Sequence, residues 1–413
     1  MRTLMRMLSV SIVLLLAAQA AVQTPAVGAP ARPGACPSLE TRPANASEQK
    51  PAFVGQTRTC AAKSNVAFEV VVLAKGLVQP WAVEPLPGGD VLVTEKTGRL
   101  RIVSAEGELG APIAGVPKVD ARGQGGLLDA ALSPQFESDR TIYLSFSEAR
   151  EGGNGTSVAR GVLSADRRSL EQVGVIFRVL PTYDGTMHYG SRLAFGPDGR
   201  LYVTTGERSV TAMRKYAQQL DSHLGKVMRI QPDGSAPKDN PFVAKPDALP
   251  EIWSLGHRNV QAAAFDSKGR LWVVEHGARG GDELNLIVKG ENYGWPVVAY
   301  GREYSGQPIT GSVPDRPGFE QPSYYWDPVI APSGAQFYTG SLFPAWKDSL
   351  FIGALKERRL VRLVIEGNRV RGEEHLLAER GQRVRDVRQG PDGALYVVTD
   401  ESDGELWKIV PRR

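Results

Sequence analysis

One phrase recurs along this chain and limits the folds open to it. A polar turn built on Gly or Asp leads at once into a short β-branched and aromatic run. It is seen as "PGGDVLVTEKTGRLRIV" from Pro87, "SDRTIYLSF" from Ser138, "GPDGRLYVTTGE" from Gly196, "DSKGRLWVVEHG" from Asp266, "KDSLFIGALKERRLVRLVI" from Lys347 and "GPDGALYVVTD" from Gly390. Such runs read as hairpins, and several continue into a second turn and strand, as Lys96-Thr97-Gly98 leads into "RLRIV". No segment carries a long apolar pattern at helical spacing, and "SVTAMRKYAQQLDSHLGK" is the best helix candidate. Six units of one kind, set unevenly along 413 residues, predict an all-β chain folded as a six-bladed β-propeller with long inter-strand loops. A pair of β-sandwiches leaves the shared opening phrase unexplained. In a propeller, loops on one face surround the central channel, where polar side chains can converge on a ligand.

The flanking segments follow different rules. "MRTLMRMLSVSIVLLLAAQA", residues 1–20, has Arg2 and Arg6, an apolar run from Leu8 to Ala18, and the small-residue pattern Ala18-Gln19-Ala20. It reads as a cleaved secretory signal peptide, too short in its apolar part to span a bilayer, so a periplasmic or secreted protein without a membrane span is expected. Cys36 and Cys60 are the two cysteines, and export favours a disulfide between them. Residues 21–65, rich in Pro, Ala, Ser and Gln, read as an extension pinned by that disulfide, and residues 66–413 as the propeller. Lys and Arg total 49 against 45 Asp and Glu, with no dense basic block, which argues against a nucleic-acid partner.

Several polar clusters interrupt the strand pattern. "RGQGGLLD" sets Gln124 between glycines, where a ligand can approach the backbone. "MHYGSRL" places His188 just before a strand, where it is either a base or a satisfied structural residue. "GHRNV" offers Arg258 and Asn259, and "QRVRDVRQG" offers Arg383 and Arg385 on one strand face. Two guanidiniums side by side call for an anion, or for counter-ions such as Asp386 and Glu379. "EHGARGGDELNLIVKGENYGWP" combines acids with glycine turns that expose carbonyls, a weak signal for Ca²⁺ outside the EF-hand spacing. With Lys356 in "GALKERRL", the set suits a polyanionic cofactor plus Ca²⁺.

The motifs "QGGLLD", "HYGSRL", "LGKVMRI", "GHRNVQ", "EHGARGGDELNLI", "NYGWP", "IAPSG" and "RVRDVRQGPDGALYVVTD", in that order from about Phe68 onward, resemble the soluble pyrroloquinoline quinone (PQQ)-dependent aldose sugar dehydrogenases of the glucose/sorbosone dehydrogenase family. The resemblance implies a six-bladed propeller that oxidises aldoses at C1 to the lactone. It implies His188 as general base and Gln124 as a substrate contact. Arg258, Asn259, Tyr304, Lys356, Arg383 and Arg385 fall on cofactor positions. The carbonyls of Gly277 and Ala278 match a catalytic Ca²⁺ site, and Glu283 with the Tyr293 carbonyl a structural one. The electron acceptor is undefined, and either a monomer or a homodimer is compatible.

The chain also departs from the family. Val260 and Ala278 stand where many members have Pro, and Met187 stands where the glucose-specialised branch has Asp, so a broad aldose range is expected. The competing readings are a Ca²⁺-dependent propeller lactonase, which would ring one metal with acids, and a non-catalytic binding propeller.

Overall fold

The computed structural model describes residues 36–412. The signal peptide expected over residues 1–20, and the part of the extension before Cys36, lie outside the described residues. Among the described residues no helix is long and apolar enough to cross a membrane.

Six antiparallel sheets form the blades. Blade 1 has three strands, Pro80–Pro85, Val91–Glu95 and Arg99–Val103, and each of the others has four. The innermost strands of blades 2 to 6 are Leu127–Leu132, Leu193–Phe195, Val260–Phe265, Pro332–Phe337 and Val384–Gln389. Their second strands are Thr141–Arg150, Leu201–Thr204, Leu271–Glu275, Leu350–Ala354 and Leu395–Thr399. Each recurring phrase is the hairpin turn and second strand of one blade. The turn closes the same way in blades 3, 4 and 6: the Gly196, Asp266 and Gly390 amides donate to the Arg200, Arg270 and Ala394 carbonyls. The third turn position is left-handed, with φ of 71° at Gly199, 74° at Gly269 and 79° at Gly393, which is why glycine recurs there.

Both faces of each blade are covered by a neighbour, so Val91–Glu95, Leu271–Glu275 and Leu395–Thr399 are buried at every residue. This removes the alternation of a half-exposed strand and leaves continuous apolar runs. The core is correspondingly divided among blade interfaces. Leu92 and Leu100 meet Leu127 and Leu144 between blades 1 and 2, and Trp272 and Val274 meet Phe337 and Ile352 between blades 4 and 5. The ring closes with strands from both ends of the chain. Phe68–Leu77 pairs with Gly404–Pro411 as the outer strand of blade 6, with Phe68 opposite Pro411.

Charge plugs the middle of the ring. Arg192, fully buried, places Nη1 2.7 Å from Asp129 Oδ1 and 3.2 Å from Asp386 Oδ2. Its Nε donates to the Gln261 carbonyl at 3.0 Å, and its guanidinium lies 4.5 Å from the Trp81 ring centre. One side chain thus ties blade 3 to blades 1, 2, 4 and 6.

The helix candidate is reduced to Thr211–Arg214 with a 3₁₀ turn at Lys215–Gln218. The buried Lys226 ammonium donates to the Tyr216, Ala217 and Leu224 carbonyls at 2.6, 3.0 and 2.8 Å, taking up acceptors that a longer helix would use itself.

Residues 36–65 run along the outer edges of blades 4 and 5. The Asn45 and Ala46 amides donate to the Asp327 carboxylate at 2.9 Å each, and the Ala62 amide donates to the Glu373 carbonyl at 2.7 Å. Cys36 and Cys60 are disulfide-bonded across a separation of 24 residues. Replacing both with serine is expected to lower unfolding free energy by about 3 kcal/mol, read from urea denaturation.

Candidate functional site

In every blade the innermost strand begins, and the second strand ends, at the same mouth of the ring. Side chains at those two points face a common cavity of 340 Å³ to which all six blades contribute. The second residue of the innermost strand supplies Trp81, Leu128, Gln261 and Arg385. The residue just after the second strand supplies Lys96, His276, Leu355 and Asp400.

Of the sequence-predicted residues, Gln124, Arg383 and Arg385 line this cavity. Arg383 donates from Nε and Nη2 to Asp400 Oδ2 at 2.8 and 2.6 Å, and Arg385 likewise to Asp400 Oδ1 at 3.0 and 2.8 Å. Burial works to raise the Asp400 carboxyl, but Arg385 and Arg383 outweigh it and hold it below the usual range. The counter-ion is therefore Asp400. Asp386 is engaged below, with Arg192 and Arg388.

His188 does not itself line the cavity; it lies directly before the lining residues Tyr189 and Gly190, 4% exposed, with a left-handed φ of 50°. Its amide donates to Gln124 Oε1 at 2.8 Å, and the Gln124 amide donates to the Thr186 carbonyl at 2.7 Å, so the two loops fix each other. Gly206 lets a third loop in: a Cβ there would lie 2.5 Å from the His188 carbonyl oxygen and 2.6 Å from Asn259 Oδ1. Asn259 Oδ1 accepts from the Gly190 amide at 3.2 Å. The next residue, Glu207, has Oε2 3.3 Å from His188 Nδ1. That is an ion-pair contact rather than an aligned hydrogen bond, since His188 Nδ1 and Glu207 Oε1 are both buried without a hydrogen-bond partner. Burial, then Arg258, lowers the His188 pKa, and Glu207 opposes them. Burial would raise the Glu207 pKa, but the His188 ring and Arg258 hold it low.

Arg258 lies beside this pair. Its Nη1 donates to the Gly277 carbonyl at 2.5 Å and to the His276 carbonyl at 3.1 Å, and its backbone amide donates to Glu275 Oε2 at 2.6 Å. Its guanidinium is 6.0 Å from the ring centre of Tyr304, which is 70% exposed. His257 is not part of the cavity. Fully buried, it joins Ser254 Oγ at 2.9 Å to Glu275 Oε1 at 2.8 Å and stacks on Tyr293. Lys356 is exposed and does not line the cavity, because Leu355 takes the position that faces inward and the next side chain turns out.

The residues expected to hold cations divide into two groups. Gly277 and the buried Ala278 follow His276 at the cavity wall, and the Gly277 amide donates to Asp282 Oδ1 at 2.8 Å. Burial pushes the Asp282 carboxyl up to about 7, against three backbone amides that lower it. Glu283 pairs in register with Glu275, and burial followed by the Glu275 charge raises its pKa strongly. Asn285 Nδ2 bridges them at 3.0 and 3.2 Å, while Asn285 Oδ1 is buried and unpartnered. Two like carboxylates and an unmatched amide oxygen suit a hard cation. Among the described residues no three His, Cys, Asp or Glu side chains cluster as a metal site. A cation here therefore draws on amide and carbonyl oxygens as well.

Glu207, Lys96, His276 and Asp400 were not singled out from the sequence. Aligning the recurring phrases by their strands would have found three of them, since "VLVTEK", "LWVVEH" and "LYVVTD" end on Lys96, His276 and Asp400.

These features define the class: a six-bladed propeller with a cationic cavity at one mouth and a buried His–carboxylate pair tied to one of its lining residues, Gln124. The chain belongs to the glucose/sorbosone dehydrogenase family, whose model matches residues 77–408. It is 45% identical to the aldose sugar dehydrogenase YliI of Escherichia coli K12 over 347 residues, covering 83% of this chain and 93% of that one. The crystal structure of the soluble aldose sugar dehydrogenase from Escherichia coli in its apo form superposes with a TM-score of 0.80 at 44% identity, covering 84% of this chain and all of that one. The PQQ-bound aldose sugar dehydrogenase of Streptomyces coelicolor matches with a TM-score of 0.70 at 32% identity, over 84% of this chain and all of that one. Family and relatives together support an oxidoreductase acting on sugars.

Proposed function

We propose that this protein oxidises aldose sugars at C1 to the lactone, with PQQ and Ca²⁺ as cofactors and a separate, undefined acceptor that takes the electrons from the reduced quinone. The observation that carries the reading is the surplus of cations over the carboxylate Asp400 among the described residues lining the cavity, with the buried His188–Glu207 pair joined to the lining residue Gln124 through the His188 amide. When bound, PQQ supplies a hydride-accepting ortho-quinone and Ca²⁺ supplies Lewis-acid polarisation of it.

The remaining chemistry belongs to the chain. Arg383 and Arg385 would hold the carboxylates of the ligand, and Arg258, Asn259 and the exposed Tyr304 would be its further contacts. The Gly277 carbonyl, which here accepts from Arg258 Nη1, and the Ala278 carbonyl would hold one Ca²⁺. Glu283, with the Tyr293 carbonyl, holds the second. Gln124 spends Oε1 on the His188 amide, which leaves its Nε2 hydrogens to orient a sugar hydroxyl. Glu207 faces His188 Nδ1, favouring the tautomer protonated there, so Nε2 takes the hydroxyl proton. Glu207 then stabilises the imidazolium. Met187, exposed beside the base, leaves no carboxylate there for one particular sugar, in keeping with a broad aldose range.

Reconstitution tests the reading. Purified protein loaded with PQQ and Ca²⁺ is expected to reduce an artificial dye with several aldoses and to lose that activity on chelation. No dye reduction with any aldose, and no change in quinone absorbance, would refute it. The lactonase reading loses ground to the Arg383–Arg385 pair at the cavity, which is the wrong charge for a ring of acidic metal ligands.

A further inference from the structure

We propose that Lys96 is the third cation of this cavity and that, together with Arg383 and Arg385, it recognises a carboxylate of the bound ligand. The inference rests on the quinone reading above for the identity of that ligand, and on independent geometry for the residue.

Lys96 directly follows the second strand of blade 1, Val91–Glu95. The same position in blades 4, 5 and 6 is held by His276, Leu355 and Asp400, and all four line the cavity. The backbone is fixed on both sides. The Lys96 amide donates to the Gln79 carbonyl at 3.0 Å, and its carbonyl accepts from the Leu127 amide at 3.0 Å. The side chain therefore starts from a set point in the wall and is half-buried.

Its ammonium makes no hydrogen bond or ion pair among the described residues. Among the described residues Asp400 is the only carboxylate lining the cavity, and it already gives both oxygens to Arg383 and Arg385. Three cations against one carboxylate leave two positive charges unmatched. Partly buried charge without a partner is costly, and an anionic ligand removes the cost. Burial and Arg385 lower the Lys96 pKa, with Asp400 opposing, and a carboxylate arriving beside it would shift that pKa back up. Lys356, the lysine picked out from the sequence, is exposed and turned away from this cavity.

The test is direct titration of apo-protein with PQQ, read by quenching of tryptophan fluorescence and by calorimetry, without turnover. K96Q is expected to bind about tenfold more weakly, which is about 1.4 kcal/mol. K96E should bind more weakly still, and K96R should recover most of the affinity. The dependence of affinity on salt should be shallower in K96Q than in wild type. Thermal unfolding of each variant checks that the ring is intact. Wild-type affinity in K96Q, or a tenfold loss in K356Q with none in K96Q, would overturn the proposal. If wild type does not bind PQQ at all, the quinone reading fails, and benzene-1,3,5-tricarboxylate takes its place as probe. Binding of that anion that weakens in K96Q keeps Lys96 as an anion-recognising residue, and binding indifferent to K96Q removes it.

Discussion

Replacing His188 with alanine is expected to lower kcat of the reconstituted enzyme by about 10²- to 10⁴-fold, the usual range for loss of a general base. PQQ affinity, measured by titration, should stay close to wild type, because the cations that face the cavity come from other blades. The pH profile gives the sharper check. The base works as neutral imidazole, so activity is present above its pKa and is lost as pH falls through it. Burial and Arg258 hold that pKa below the ordinary value near 6.5, so the acid limb of kcat/KM should fall below that of a free imidazole. Glu207 acts in the opposite direction. Glu207→Gln should move the acid limb to still lower pH and also reduce kcat, since the imidazolium loses its counter-charge. A H188A enzyme with near-normal turnover would place the base elsewhere, and a H188A protein that no longer binds PQQ would make the residue a structural one.

The second large effect concerns the ring itself. Arg192→Met is expected to destabilise the protein by about 3–5 kcal/mol, the range for removing one partner of a buried ion pair. The methionine can occupy the place of the stem, but Asp129 and Asp386 lose the buried guanidinium between them. Asp129 would then depend on Arg388 and on the Leu193 amide, which donates to Oδ2 at 2.7 Å. Guanidinium denaturation of wild type and variant measures the difference. A loss below about 1 kcal/mol would mean that Arg388 alone neutralises both acids. Since Trp81 and Gln261 touch Arg192 and also line the cavity, the site rests on this plug.

The fold was readable because the turn chemistry repeats. Gly199, Gly269 and Gly393 mark equivalent left-handed positions, and a strand follows each at a fixed offset. Blade 1 shows the limit of such reading, since nothing in "PGGDVLVTEKTGRLRIV" says that the sheet stops at three strands. The role of Phe68–Leu77 was equally hidden, because its partner strand Gly404–Pro411 lies at the far end of the chain and pairing over that distance leaves no local signal. In the site, Gln124 was found because it lies between two glycines, and Arg383 and Arg385 because two guanidiniums on one strand face call for an anion. Lys96 and Asp400 look like ordinary turn residues in isolation. Only the register shared among blades brings them to the cavity. Lys356 is one residue past the inward position, and in an extended chain a shift of one reverses the facing.

The pairing of Phe68–Leu77 with Gly404–Pro411 has a consequence for biosynthesis. A nascent chain that still lacks its last strands holds an unzipped edge at one end and an incomplete blade at the other, however well the blades between have formed. The cavity takes a wall from every blade, so ligand-binding competence arrives in one step when the C-terminal strand joins the ring, rather than growing gradually with chain length.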